Sequence, residues 1–147
     1  MGLDQYLKAS RYLSPYDESE DKIGKAIAAA LGLPDMEVNE ATVEAGYWRK
    51  ANAIHKWFVD NVQSGVDECQ TSDVSREQLL ELRNLAQKVV DNPRQAQILL
   101  PPQEGFFFGS TDVTNGYYME DMKRTVEILD KALALPQGWY FSYRASW

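Results

Sequence analysis

The segment from residue 47 to residue 58 carries the side chains best suited to bind a ligand. Read as a helix, it places Trp48, Asn52 and His55 on one stripe, because residues three and four positions apart share a helix face. An indole ring, a carboxamide and an imidazole in line suit a planar ligand with hydrogen-bonding edges, on which Trp48 would stack. We therefore predict that these three side chains bind the flat part of a ligand.

Basic residues accompany this stripe. Arg49 and Lys50 stand near the start of the predicted helix, where they would neutralise a phosphate or carboxylate, arginine through its bidentate fork. Arg144, near the end of the chain, is either a second anion contact or the ion-pair partner of an acid such as Asp4. The Gly109–Ser110 backbone is a further candidate for close approach to an anion. The predicted ligand-binding set thus includes Arg49, Lys50 and Arg144.

The same residues also fit a purely structural role. Trp48 and Trp57 would then pack in or beside the core, His55 would be a hydrogen-bonded core histidine, and the basic side chains would be solvated. A third interpretation makes His55 a general base, since imidazole exchanges protons near neutral pH. However, Glu44 lies eleven residues earlier, three helical turns away, so the linear sequence supplies no catalytic partner.

Composition limits the classes of function. The 147 residues include 22 Asp and Glu against 15 Lys and Arg, and a net charge of −7 disfavours general nucleic-acid binding. Only residues 47–66 are positive, with a net charge of +2. One cysteine and one histidine make a disulfide and a metal site improbable, and no cofactor is expected. The chain has neither a membrane-length apolar run nor a signal-peptide pattern, so we expect a cytoplasmic protein without a membrane partner.

Apolar residues at helical spacing predict four helices. They cover residues 20–31, 44–63, 75–92 and 117–135. Ser75 and Gln78 form a capping box at the start of the third helix, and Asn115 and Gly116 make a turn before the fourth. The second helix would carry the whole 47–58 segment and would therefore position the predicted site.

Three or four segments are expected to be extended. Residues 105–109, with three consecutive phenylalanines, predict a strand buried on both faces, and residues 139–147 alternate between an apolar and a polar face. Residues 36–44 alternate weakly, whereas residues 3–13 fit a strand and a helix almost equally well. The pattern predicts a single α+β domain over residues 1–147, with about four helices packed on one face of a small antiparallel sheet.

Four stretches together resemble a family of small proteins encoded by bacteriophages and prophages. They read MGLDxYL at the start, GYWRKANxIHxWF over residues 46–58, GFFFGS over 105–110 and YRASW at the end. The resemblance spans most of the chain, and the 47–58 block is its most specific part. It implies a phage gene product made in the cytoplasm of a bacterial host, and it carries over no catalytic residue.

The predicted site and the resemblance lead to three hypotheses. The first is a non-enzymatic protein that holds a small, anionic, planar ligand of nucleotide type between the 47–58 helix and the sheet. Such a phage protein would sequester a host signalling molecule as a counter-defence. The second is an acidic inhibitor that binds a host protein, and the third is a small hydrolase that uses His55. The sequence leaves open whether the chain forms a homo-oligomer.

Overall fold

The computed structural model describes residues 2–147 and has the predicted α+β class; Met1, the first residue of the MGLDxYL stretch, lies outside the described residues. The strands are β1 (Asp4–Tyr12), β2 (Glu40–Arg49), β3 (Thr71–Val74) and β4 (Tyr140–Ser146). The α-helices of the described chain are α1 (Glu18–Ala30), α2 (Asn52–Asn61), α3 (Arg76–Asp91), α4 (Ala96–Leu99) and α5 (Gly116–Leu133). A short 3-10 helix, Pro93–Gln95, precedes α4.

The four strands form one antiparallel sheet in the order β2–β1–β4–β3. The N-terminal segment, which fits a strand and a helix equally well in the sequence, is therefore a strand with a neighbour on each edge. Leu7, for example, lies opposite Gly46 of β2 and Tyr143 of β4. Pairing between β1 and β4 thus orders both segments, which explains why apolar residues continue as far as Trp147.

The two faces of the sheet differ in character. Leu7, Phe141 and Tyr143 point inward and join a core that includes residues of α2, α3 and α5. At alternate positions, Lys8 and Arg144 point outward and are exposed. The alternation predicted for the C-terminal strand is confirmed, because successive side chains of a strand point to opposite faces.

Three of the four predicted helices are confirmed as α1, α3 and α5. Asp17 caps α1 by accepting hydrogen bonds from two backbone amides, Ser75 and Gln78 form the predicted capping box of α3, and Asn115 caps α5. Within residues 2–147, no helix combines the length and the apolar character needed to cross a bilayer.

The predicted helix over residues 44–63 is wrong in its first half. Residues up to Arg49 belong to β2, and α2 begins only at Asn52. Pairing shifts by one residue next to Leu7, which leaves Ala45 unpaired as a bulge and hides the alternation of β2 from a simple periodicity count. Lys50 then turns the chain from strand to helix with a φ of 55°. Trp48 and His55 therefore do not share a helix face.

The predicted strand over residues 105–109 is also wrong, because these residues form a loop. Phe108 is buried, whereas Phe106 is 94% exposed. The loop is tied to other elements instead of to a strand: the Leu3 amide donates to the Phe107 carbonyl at 3.1 Å, and the Asn52 side chain donates to two loop carbonyls. Consecutive aromatic residues therefore reflect one buried anchor in a loop, not a two-sided strand.

Candidate functional site

Trp48 belongs to the protein interior. It faces inward from β2 and is fully buried, and its indole N–H donates to the Thr125 hydroxyl of α5 at 2.9 Å. Its ring meets Phe58 edge-on, with 6.2 Å between the ring centroids. Trp48 therefore has no ring face open for the ligand stacking that the sequence predicted.

Asn52 fastens the 103–110 loop to the start of α2. Its amide group donates to the carbonyls of Phe108 at 3.0 Å and Ser110 at 2.9 Å, and its carbonyl accepts from the Gln103 amide at 3.1 Å. The side chain is 5% exposed, so these bonds form away from bulk water. With two donors and an acceptor engaged, Asn52 positions a loop and has little capacity left for a ligand.

His55 is the centre of a buried hydrogen-bond chain. Its Nδ1 pairs with the Tyr143 hydroxyl at 2.8 Å, and its Nε2 pairs with an Asp67 oxygen at 2.9 Å, while the other Asp67 oxygen accepts from the Trp147 indole at 3.1 Å. Burial raises the pKa of Tyr143, so its phenol keeps the proton and is able to donate it to Nδ1. Both imidazole nitrogens are engaged, which leaves neither one for a substrate.

The turn that carries Arg49 and Lys50 is fixed by β1. The Lys50 amide donates to the Leu3 carbonyl at 2.7 Å, and the buried Gln5 side chain exchanges two hydrogen bonds with the Ala51 backbone, at 3.2 and 3.0 Å. These bonds hold the turn in its left-handed conformation. They therefore set where the two basic side chains emerge.

Arg49, Lys50 and Asn52 line one cavity of about 360 Å³, which we call the Lys50 cavity. It lies between the turn after β2, the end of the 103–110 loop and the first turns of α5. Its other lining residues are Ala53, Gly109, Ser110, Asn115, Tyr117, Tyr118 and Asp121. Arg49, Lys50 and Asn52 thus meet at the junction of a strand end and two helix starts, not between a 47–58 helix and the sheet.

The rim of the Lys50 cavity next to β2 is positive. The Lys50 side chain is exposed and has no hydrogen-bond or ion-pair partner among residues 2–147. The Arg49 side chain is 57% exposed and makes a 3.4 Å contact with Asp4, which also accepts a hydrogen bond from Tyr47; that bond raises the pKa of Tyr47. The start of α2, which lines the cavity, has no side-chain cap, and its free N–H groups add partial positive charge. This combination suits an anion.

The structure does not bring Arg144 or His55 to this cavity. Arg144 lies on the outer face of the sheet, where its Nε–H donates to the Cys69 carbonyl at 3.0 Å, and it borders a separate cavity of about 490 Å³. The predicted alternative of an Arg144–Asp4 pair is absent from the described residues, in which Asp4 contacts Arg49 instead. His55 borders a third cavity, of about 510 Å³.

Sequence reasoning missed Tyr117 and Asp121. They lie four residues apart on α5 and so share a face, beside the apolar stripe that predicted this helix. The four-residue spacing of Tyr117 and Asp121 is the sequence signal that could have identified this pair. Asp121 is partly buried, and its pKa is raised to about 7, mainly by desolvation and to a smaller extent by Glu120, while Arg124 acts in the opposite direction. Ser110, in contrast, belongs to the backbone segment already proposed to approach an anion.

Comparisons with protein-family models, with curated proteins and with solved structures found no match for this chain. Within residues 2–147, no three histidine, cysteine or carboxylate side chains come together as a metal ion would require.

Proposed function

We propose that this chain is a non-enzymatic protein that binds a small anionic ligand of nucleotide type in the Lys50 cavity. The observation that carries the proposal is the position of two exposed basic residues, Arg49 and Lys50, beside the uncapped start of α2 at one rim of a cavity. Elsewhere the chain is acidic, so this rim differs in sign from the rest of the molecule. An anionic group would gain charge-assisted hydrogen bonds there.

The size and lining of the cavity favour a ligand with a flat part as well as an anionic group. About 360 Å³ lies at the lower end of the range for small-molecule sites, roughly 300–1,000 Å³. Tyr117, whose side chain is 77% exposed, takes the place of Trp48 as the ring available for stacking. A mononucleotide combines a charged phosphate with a planar base and fits both features.

The resemblance to phage proteins gives this binding a biological role as part of the same proposal. A phage protein in the bacterial cytoplasm would lower the free concentration of a host signalling nucleotide by holding it without turnover. In support of binding without catalysis, both nitrogens of His55 have protein partners and the residue borders a different cavity. The ligand should therefore be recovered unchanged.

Isothermal titration calorimetry tests the proposal directly. The protein is titrated at low salt with the monophosphates of guanosine, adenosine, cytidine and uridine, with the matching nucleosides, and with inorganic phosphate. We expect at least one nucleotide to bind, its nucleoside to bind about tenfold or more weakly, and Lys50→Gly and Arg49→Ala each to weaken binding by a similar factor.

Lys88→Ala is the matched control, because Lys88 is an exposed base on α3, outside the cavity. It should leave the affinity unchanged. Absence of heat with every nucleotide would refute the proposal, and so would a bound nucleotide whose affinity is indifferent to Arg49 and Lys50. Chromatography of the titrated ligand should return the starting nucleotide; a product would point to the hydrolase instead.

A second candidate function, inhibition of a host protein, is favoured by the cavity beside His55. Phe106 is 94% exposed and Trp147 is 44% exposed, and both line this cavity together with Asp67, Glu104 and the Asp60–Lys56 ion pair. Exposed aromatic rings beside carboxylates suit a basic side chain of a partner protein, since cations bind both to carboxylates and to ring faces.

Affinity capture from a bacterial host lysate tests this second candidate. We expect one stoichiometric basic partner that is retained by the wild-type protein and lost with Phe106→Ser. Tyr16→Ser is the matched control, because Tyr16 is 96% exposed but lies outside that cavity. A partner that is captured equally by both variants would count against this surface.

A further inference from the structure

Asp121 is the one carboxyl group that lines the Lys50 cavity among the residues the structure describes. No group in residues 2–147 donates a hydrogen bond to its side chain, and it forms no ion pair there. Only its backbone carbonyl is engaged, by the Thr125 hydroxyl at 2.7 Å. Its carboxylate oxygens are not among the buried polar atoms that lack a partner, so they remain accessible from the cavity.

The cavity therefore contains two kinds of group that do not satisfy each other. Arg49 and Lys50 donate from the turn after β2, whereas Asp121, in the second turn of α5, is acceptor-only when ionised. Although all three line the same cavity, neither basic side chain pairs with Asp121. Inorganic phosphate would engage the basic rim and leave Asp121 without a partner. A complementary ligand needs an anionic group and, apart from it, N–H donors.

We propose that Asp121 selects a nucleotide whose base presents two adjacent N–H donors, which among the common bases is guanine. This inference rests on the proposed function. The two oxygens of a carboxylate accept two parallel hydrogen bonds, and the ring N–H and exocyclic amino group of guanine supply them side by side. Adenine and cytosine place an acceptor beside their amino group, and uracil places its N–H between two carbonyls. Tyr117 lies four residues from Asp121 on the same helix face, where its ring is able to stack on the base.

Calorimetry at pH 8 with guanosine, inosine and adenosine monophosphates tests the selection. Inosine monophosphate is the sharpest probe, since it keeps the ring N–H and lacks only the amino group. We expect guanosine monophosphate to bind about ten- to a hundredfold more tightly than inosine monophosphate. Adenosine monophosphate should bind no more tightly than the inosine compound.

Two variants separate this inference from the proposed function. Asp121→Asn should reduce the guanosine-to-inosine ratio to within a few fold, whereas Lys50→Gly should weaken both nucleotides and keep their ratio. Glu127→Gln is the control, because Glu127 is an exposed carboxylate on the same helix. Equal binding of the guanosine and inosine compounds would overturn the inference and leave the proposed function standing. If no nucleotide bound at all, both would be overturned.

The pH dependence gives a second readout that a merely structural role would not produce. The charged groups around Asp121 are Glu120 and Arg124 on its own helix and, from the turn after β2, Arg49 and Lys50. Tyr117 and Tyr118 are the other titratable groups of the lining. Ionised Asp121 accepts two donors, so the guanosine-to-inosine ratio should fall as the pH is lowered from 8 to 6. The ratio of Asp121→Asn should stay constant, and a wild-type ratio that does not change with pH would contradict the inference.

Discussion

Two regions of the molecule differ in whether their polar groups have partners. One is the interior network formed by Trp48, Asn52 and His55, and the other is the Lys50 cavity. The network residues are almost completely buried, and each of their polar groups bonds to another part of the protein. Lys50 is exposed and Asp121 is partly buried, and neither side chain has such a partner within residues 2–147. Trp48, Asn52 and His55 lie close to Lys50 in the sequence, whereas Asp121 comes from α5, and all five are residue types that bind ligands elsewhere.

Residue type alone therefore does not mark a binding site. Asn52 and His55 are chemically well suited to bind a ligand, but in the fold Asn52 bonds to the 103–110 loop and His55 bonds to Tyr143 and Asp67. The interior network should therefore control stability, and the cavity should control binding. Four substitutions test this division.

Trp48→Ala should have the largest effect on stability. Removing a fully buried indole leaves a cavity and leaves the Thr125 hydroxyl without its donor, so we expect a loss of about 3–5 kcal/mol in the free energy of unfolding. Urea denaturation measures it. Trp147→Ala, at a 44% exposed position, should cost less than about 1.5 kcal/mol. Similar losses for the two tryptophans would show that the interior network does not control stability.

Asn52→Ala should have the next largest effect. It removes a buried side chain that makes three hydrogen bonds, so two backbone carbonyls and one backbone amide lose their partner. We expect a loss of about 2–3 kcal/mol in the free energy of unfolding. Asn84→Ala, at an exposed position of α3, should change stability by about 0.5 kcal/mol at most. Urea denaturation again provides the measurement, and a loss near that of Asn84 would show that the loop does not depend on Asn52.

Asp121→Asn should stabilise the protein above neutral pH. The pKa of Asp121 is raised from 3.8 to about 7 in the folded state, so the unfolded chain loses this proton at a lower pH than the folded protein does. The free energy of unfolding therefore falls as the pH rises between these two pKa values. Asparagine does not ionise, so the variant does not lose stability over this pH range. Allowing for solvent screening of a partly exposed group, we expect a gain of about 1–2 kcal/mol at pH 8 and none near pH 4. Glu127→Gln should show no such gain in parallel denaturation series, and a gain equal at both pH values would exclude this cause.

Lys50→Gly should have the smallest effect on stability while it weakens nucleotide binding. Glycine adopts a φ of 55° without the strain of a side chain, so we expect a gain of up to about 1 kcal/mol. Ser64 has the same φ and lies outside the cavity. Ser64→Gly should therefore give a comparable gain in thermal unfolding and leave calorimetric binding unchanged. Destabilisation by Lys50→Gly alone would assign Lys50 a structural role.

Much of the fold follows from local patterns. The capping box at Ser75, the apolar spacing of α5 and the alternation of β4 are each complete within one segment, and the structure confirms all three. The errors arose where a local pattern had two solutions. Residues 44–63 have helical spacing, but pairing with β1 and the bulge at Ala45 make the first part a strand. The phenylalanines of residues 106–108 are apolar enough for a strand, yet only Phe108 is buried.

The α+β class, the acidic composition and the location of the basic residues Arg49 and Lys50 follow directly from the sequence, because they depend on composition and short-range spacing. Which polar side chains remain without a protein partner depends, in contrast, on how the sheet and the helices pack. Trp48, Asn52 and His55 meet their partners across 77, 56 and 88 residues of chain, respectively. Hydrogen bonds between residues so distant in sequence leave no local pattern, since the partners come together only when the sheet and the helices pack.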